Sequence, residues 1–256
     1  MHLAVSYIDV GKGDCILVEA GGEAVLIDTG YESTSDDVLS YLRKRGVNQL
    51  RCVIITHFDR DHIGGLRTIA EELPVQEVCL PNYESADKNY RNVMDAISSL
   101  SLSAHQATDD TVFQLGDATL TVIPTSLTYE KKSGNSEGND NDLSLVVTLT
   151  NGEDSYLFAG DLEKKGVVAY LDDAGGTFDV LKMPHHGKWC GKVDDLVEET
   201  SPSLAIITDG EDDPAENKTL GYLEDADIET YRTSTDGTIV VESHGLGDYV
   251  VTAERS

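Results

Sequence analysis

The segment Thr56-His57-Phe58-Asp59-Arg60-Asp61-His62, continuing into Ile63-Gly64-Gly65, constrains this chain more than any other part of it. It follows directly on Val53-Ile54-Ile55, an apolar β-branched run that reads as a buried strand. Four metal-capable side chains, His57, Asp59, Asp61 and His62, are thereby set at the end of one strand within a single turn of chain. Imidazole supplies nitrogen and carboxylate supplies hard oxygen, a mixture able to hold two divalent ions side by side. The competing reading is a solvated polar loop whose histidines cap the next helix.

A chain of 256 residues can bury one large core or two small ones. No Pro- or Gly/Ser-rich linker and no internal repeat divides it, so residues 1–256 are expected to form a single domain. The hydrophobic content of 39% suits an α/β protein. No apolar stretch approaches the length needed to cross a bilayer. Met1-His2-Leu3-Ala4-Val5-Ser6-Tyr7 lacks the basic start and long apolar segment of a signal peptide. A cytoplasmic location without membrane contact is therefore expected, and no protein partner can be inferred. Cys15, Cys52, Cys79 and Cys190 form no C-x-x-C pair; the first three read as core residues and Cys190 as a reduced bystander. Forty-seven acidic against nineteen basic residues give a formal charge of −28, and no basic stripe offsets it. Such a surface repels polyanions at low salt.

Along the chain, strands are expected at Leu3 to Ile8, Cys15 to Val18 and Ala24 to Ile27, joined by the loop Val10 to Asp14 and the turn Ala20 to Glu23. A helix from Ser35 to Arg45 has Ser35 or Asp36 as its N-cap. After the metal-capable loop come a helix near Gly64 to Glu72, a strand from Val75 to Leu80 and a helix from Asp87 to Leu100. Short strands fill Thr111 to Ile123, and Leu127 to Asp142 reads as a polar, mobile loop. Strands at Leu143 to Leu149, Tyr156 to Phe158 and Val180 to Met183 follow. Two further strand units close the chain, with Asp209 to Asn217 as a second acidic loop. Two sheets packed face to face with helices outside are the expected architecture.

Three other segments could bring donors to the same place. Asp161 follows Leu157-Phe158-Ala159-Gly160, where glycine leaves room for close approach, although Gly-Asp is most often a turn or cap. His185-His186-Gly187 follows a strand, and adjacent histidines at a strand end point different ways, so only one need be a ligand. Asn141-Asp142 precedes a strand and offers one further oxygen. His2, His105 and His244 read as structural or exposed.

Taken together, His57-x-Asp59-x-Asp61-His62, Asp161, His186 and Ile27-Asp28-Thr29-Gly30 resemble the metallo-β-lactamase superfamily. The chain is similar in particular to the hydrolase domain of ComEC-type DNA-uptake channel proteins and its stand-alone relatives. That resemblance rests on Ile8-Asp9-Val10-Gly11-Lys12-Gly13-Asp14, Asn141 to Val146, Leu181 to Gly187 and Thr235-Asp236-Gly237-Thr238-Ile239. It implies an αββα sandwich of the metallo-β-lactamase fold, with a dinuclear site along one edge. One ion would take His57, Asp59 and Asp161, with Asn141 or Asp142. The other would take Asp61, His62, Asp161 and His186, the last preferred to His185 because the His-Gly step matches the family's final ligand. Asp28 would orient a ligand histidine.

Two departures from the pattern bear on chemistry. Asp59 stands where many members have histidine, and Asn141 or Asp142 where they have another, which shifts preference from zinc towards manganese or magnesium. Lys12 replaces the usual glutamine and Lys188 the usual serine; both could bind a phosphate at the site mouth, joined there by Lys182. The resemblance implies two divalent ions bridged by Asp161 and by a hydroxide nucleophile, with Asp61 as proton acceptor as well as ligand. The leading expectation is a phosphodiesterase or nuclease, or a small phosphoester hydrolase, acting on a phosphate-containing small molecule or short nucleic acid. Hydrolysis of a non-phosphate ester or amide, and a metal-binding partner protein without catalysis, are the alternatives.

Overall fold

A computed structural model describes residues 2–130 and 139–255. The first half opens as an antiparallel meander of β1 (Leu3–Tyr7), β2 (Ile16–Ala20) and β3 (Glu23–Ile27). Strand–helix units follow: α1 (Ser35–Lys44), β4 (Cys52–Ile54), α2 (Arg60–Ile63), α3 (Leu66–Glu72), β5 (Val78–Pro81), α4 (Lys88–Leu100) and β6 (Ala104–Ala107). The second half repeats the plan with a meander of β7 (Thr111–Leu115), β8 (Ala118–Ile123), β9 (Val146–Asn151) and β10 (Asp154–Phe158). Its strand–helix units are α5 (Lys164–Asp173), β11 (Val180–Lys182), α6 (Val193–Thr200), β12 (Leu204–Ile207), α7 (Asn217–Asp225), β13 (Glu229–Arg232) and α8 (Thr233–Asp236). The final hairpin, β14 (Ile239–Ser243) and β15 (Tyr249–Ala253), returns to pair with β1.

Among the described residues one sheet has eight strands, ordered β15-β14-β1-β2-β3-β4-β5-β6, and the other seven, ordered β13-β12-β11-β10-β9-β8-β7. Pairing is parallel from β3 to β6 and from β10 to β13, and antiparallel elsewhere. Alternation along each strand sends one set of side chains between the sheets and the other under the helices. Val5, Tyr7, Ile16, Val18, Phe158 and Ile206 belong to the inter-sheet core. Leu17, Leu26, Val53 and Leu42 pack beneath the helices of the first half, and Leu157, Leu181, Ala205 and Leu196 beneath those of the second. The result is the αββα sandwich.

Several local expectations shift. The helix α1 begins at Ser35 because Glu32–Thr34 already forms a 3-10 turn; Thr34 takes the capping place, and the Ser35 hydroxyl donates to the Glu32 carbonyl at 2.9 Å. The metal-capable loop is itself partly helical, through α2. Leu143 ends a 3-10 turn, Asn141–Leu143, and the strand starts at Val146 instead. Of the polar loop from Leu127 to Asp142, residues 131–138 lie outside the described residues. The closing strand units also contain helices, α6 and α7; α6 buries Val193, Leu196, Val197 and Thr200, a helical spacing. No helix among the described residues is long and apolar enough to cross a membrane.

Candidate metal centre

Strands β3, β4, β10, β11 and β12 all deliver their C-terminal ends to one edge of the sandwich, the usual place for chemistry in parallel sheets. Asp28 leaves β3 with φ 57°, a left-handed turn that aims its carboxylate across at β4. There its oxygens accept from the Thr56 amide at 2.8 Å and the Thr56 hydroxyl at 2.7 Å. The same carboxylate meets His62 Nδ1 at 2.7 Å. The His62 carbonyl is gripped in turn by the Thr29 amide at 2.6 Å and hydroxyl at 2.9 Å. Close approach of these loops explains Gly65, where an added Cβ would stand 2.4 Å from the Thr29 carbonyl oxygen. The Asp14 amide donates to the Asp61 carbonyl at 3.1 Å, tying the β1–β2 loop to the same segment.

Four imidazoles converge on one oxygen. Asp161 Oδ2 lies 3.2 Å from His186 Nε2, 3.3 Å from His62 Nε2, and 3.9 Å from both His57 Nε2 and His185 Nε2. Three of the rings, His57, His62 and His186, are held from behind through their other nitrogen. His57 Nδ1 faces the Thr56 hydroxyl at 3.0 Å and the Ser144 hydroxyl at 3.3 Å. His186 Nδ1 donates to the Thr208 carbonyl at 3.0 Å, and His185 Nδ1 lies 3.3 Å from Glu163. Carbonyl and carboxylate oxygens only accept, so they fix the proton on Nδ1 and leave Nε2 to face the centre. His57 Nε2 is buried with no hydrogen-bond partner among the described residues, as a donor meant for a cation would be. The residues present fit divalent metal. Three compact donor groups result among the described residues: His57 with His62 and Asp161, Asp61 with His62 and His186, and Asp14 with Asp28 and His62.

The electrostatics follow from this crowding. Burial works against charge on Asp161, but His186 and His62 outweigh it and hold the carboxyl well below the usual carboxylate range. Asp61 behaves likewise, lowered by its hydrogen bond to His186 and by His62 against the cost of burial. Burial also disfavours the charged form of His62, yet Asp161 and Asp28 raise its pKa well above that of a free imidazole. His57 is pushed down instead, by burial and by the neighbouring His62.

The remaining expected residues are spread around this core. Asp59 is about half exposed, with Oδ2 3.9 Å from His57 Nε2. Asn141 lines a cavity of about 370 Å³ above the centre, together with Asp59, Asp61, Asp161, His185 and Glu163. Asp142, expected as a donor, turns away: its Oδ1 accepts from the Gly166 amide at 2.7 Å and so caps the first turn of α5. Lys12 and Lys188 stand at the cavity wall, and Lys12 pairs with Asp213 at 2.9 Å. Burial and the adjacent Lys12 push the Lys188 ammonium down. The lysine cluster loses one expected member. Lys182 is fully buried, paired with Asp14 and donating to the Gly160 carbonyl at 3.1 Å. It shares its strand face with Val180, and parallel pairing sets it beside the core residues Phe158 and Ile206, so it points between the sheets rather than to solvent.

Sequence reasoning missed Asp14, Thr208 and Asp140. Asp14 Oδ1 accepts from the Thr208 hydroxyl at 2.6 Å, behind His186, and Asp140 lines the cavity beside Asn141. Gly13-Asp14 ends a loop with no partner visible in the sequence, and nothing in Asn139-Asp140-Asn141-Asp142 distinguishes the side chain that turns inward.

A family profile described as the metallo-beta-lactamase superfamily matches residues 8–206. The chain belongs to that superfamily. Its members are mostly hydrolases, and membership together with the donor groups supports a metal-dependent hydrolase using divalent ions. Among curated proteins the chain is 27% identical to ComE operon protein 3 of Bacillus subtilis, over 92% of this chain and 32% of that protein. It is also 27% identical to Recombination protein 2 of Haemophilus influenzae, over 92% of this chain and 28% of that one. The chain thus spans about a third of the length of these relatives. Among solved structures, the metallo-beta-lactamase fold protein YhfI from Bacillus subtilis superposes with a TM-score of 0.61 at 11% identity, covering 94% of this chain and 99% of that one. Zn(2+)-bound PqqB from Methylobacterium extorquens does so at 0.57 and 12%, covering 93% and 99%. At such identities these two speak for the fold alone.

Proposed function

We propose that this chain is a phosphodiesterase that uses two divalent ions to cleave a short nucleic-acid strand or a nucleotide-sized phosphodiester. The observation that carries the reading is the convergence of four imidazole Nε2 atoms on Asp161 Oδ2, with the rings of His57, His62 and His186 anchored through Nδ1. His57, Asp59 and Asp161 would hold one ion, with an oxygen from Asn141; Asp61, His62, Asp161 and His186 would hold the other. Bound there, the ions would lower the pKa of a water and stabilise negative charge on phosphoryl oxygens. The chain's own residues supply the rest. Asp61, which lines the cavity, would accept the proton of the attacking water. Lys12 and Lys188 face the same cavity and take the phosphate oxygens remote from the scissile bond, with Arg60 beside them.

Carboxylate-rich donors and cavity lysines favour phosphate over an ester or amide carbonyl. A relative named for recombination agrees with a nucleic-acid substrate. Asp59 in place of imidazole favours manganese over zinc for turnover, even where zinc binds more tightly. The test measures metal content of the purified protein and turnover of bis(p-nitrophenyl) phosphate and a short single strand with manganese, zinc and magnesium. About two ions per chain and fastest turnover with manganese are expected. Protein that holds both ions and cleaves no phosphodiester would sink the reading.

A further inference from the structure

Lys182 and Asp14 form an ion pair that the chemistry above does not use. Both are fully buried, and they come from opposite sheets: Lys182 from the last position of β11, Asp14 from the loop between β1 and β2. A lysine inside a sandwich core is costly unless paired and hydrogen-bonded. Here its polar contacts include a residue of the metal centre itself. Besides Asp14 and the Gly160 carbonyl, its ammonium stands 3.8 Å from Asp161 Oδ1. That is the oxygen of Asp161 with no hydrogen-bond partner among the described residues, whereas Oδ2 faces the four imidazoles. Asp14 reaches the backs of two of the imidazoles, with Oδ1 3.6 Å from His186 Nδ1 and Oδ2 3.9 Å from His62 Nδ1.

We infer that Lys182 and Asp14 are a positioning pair for the metal centre: the ammonium turns Asp161 so that Oδ2 alone is presented to the histidine side. This rests on the metal-centre reading above. Two effects of Lys182 oppose each other. A bare cation so close would repel metal ions, whereas a fixed ammonium that orients the shared carboxylate would favour their binding. Asp14 decides the balance. With its carboxylate in hydrogen-bond contact, Lys182 acts on the ions as a short dipole rather than a full charge, and its field falls off faster than that of a lone cation. The orienting contact with Asp161 remains. Removing Lys182 should therefore weaken metal binding, although electrostatic relief alone predicts the reverse.

The experiment titrates cobalt(II) into metal-free wild type, K182Q and the double variant D14N/K182M, following the visible d–d absorption and competition with a chelator. Thermal melting is recorded on the same samples. The double variant removes both charges together, so no unpaired charge is left buried, and the carboxamide that replaces the Asp14 carboxylate can still accept from Thr208. It is expected to melt near wild type yet bind cobalt at least about tenfold more weakly, with an altered d–d spectrum. K182Q keeps an amide able to donate to Gly160 and Asp14, and the same loss is expected; it carries the test if the double variant does not fold. Wild-type affinity and spectrum in a folded variant, or tighter binding in K182Q, would overturn the inference and leave a merely structural pair. Wild-type protein that takes up no cobalt would refute the metal-centre reading itself, and this one with it.

Discussion

His62 belongs to all three donor groups, and its geometry shows what the carboxylate behind it contributes. Its Nδ1 lies 2.7 Å from Asp28 and its Nε2 3.3 Å from both Asp161 Oδ2 and His186 Nε2. Asp28→Asn keeps an acceptor near Nδ1 but loses the charge that polarises the ring. We expect a loss of metal affinity of roughly 10–100-fold, the order seen for such outer carboxylates. A lower melting temperature should accompany it, because the buried amide nitrogen must face the Thr56 amide or the Thr56 and His62 donors. Unchanged affinity by chelator competition would show that the ring is fixed by packing alone. Protons and metal compete for the same imidazoles. In the metal-free protein, burial opposes but Asp161 and Asp28 raise the pKa of His62, and burial opposes but Asp161 raises that of His186. A raised folded-state pKa gives stability that is complete below the unfolded value and lost as pH climbs through the folded one. Melting temperature of the metal-free protein should therefore fall as pH rises above about 6.5, the free imidazole value. Metal affinity should rise over the same range, because binding must displace those protons. Two slopes of the same sign would contradict this assignment.

The turn after β11 shows what an element contributes. His185, His186 and Gly187 have φ of 48°, 54° and 79°, three successive left-handed residues of which two are not glycine. Such a conformation is costly for each histidine and persists only where its surroundings enforce it. Gly187 is part of that enforcement: a Cβ there would stand 2.7 Å from Ala215 Cβ and 3.0 Å from Ile207 Cγ2. Gly187→Ala should cost about 2–4 kcal/mol through strain and overpacking, read by urea unfolding, and should displace His186. A change below about 0.5 kcal/mol, the scale of a neutral surface substitution, would mean that the turn yields easily. Elements also mark how far the sequence can be read. The strand-then-loop pattern at Ile55, Phe158 and Met183 places the loops of His57, Asp161 and His186, because each donor follows an apolar run closely. Alternation within Val180-Leu181-Lys182 already sets Lys182 on the face of Val180, but the inward sense of that face needs the second sheet. Its partner Asp14 lies 168 residues away, a pairing no local pattern encodes. Asn141 and Asp142 are inseparable in the sequence for a related reason: a 3-10 turn, not a strand, decides which of them faces α5.

At the scale of the whole molecule, two similar halves place their parallel strand ends along one edge. The net charge of −28 is carried by a chain whose cavity nonetheless gathers Lys12, Arg60 and Lys188. The local cations and the global field therefore act oppositely on a phosphate-bearing substrate. A dinucleotide feels mainly the cavity, whereas a long duplex also meets the net negative charge of the molecule. Basic grooves on nucleic-acid proteins make binding collapse as salt rises, through counterion release. Here salt first relieves repulsion, since moving from about 20 to about 300 mM shortens the Debye length roughly fourfold. Cleavage of a long duplex should accordingly be slow at low salt and rise or hold steady as salt is added, while a dinucleotide, gripped by Lys12 and Lys188, should lose affinity modestly. The measurement is kcat/KM for duplex, single strand and dinucleotide at both salt levels with the metal held constant. Fast duplex cleavage at low salt that collapses at high salt would mean that the net charge does not govern access, and that a longer cationic path reaches the centre.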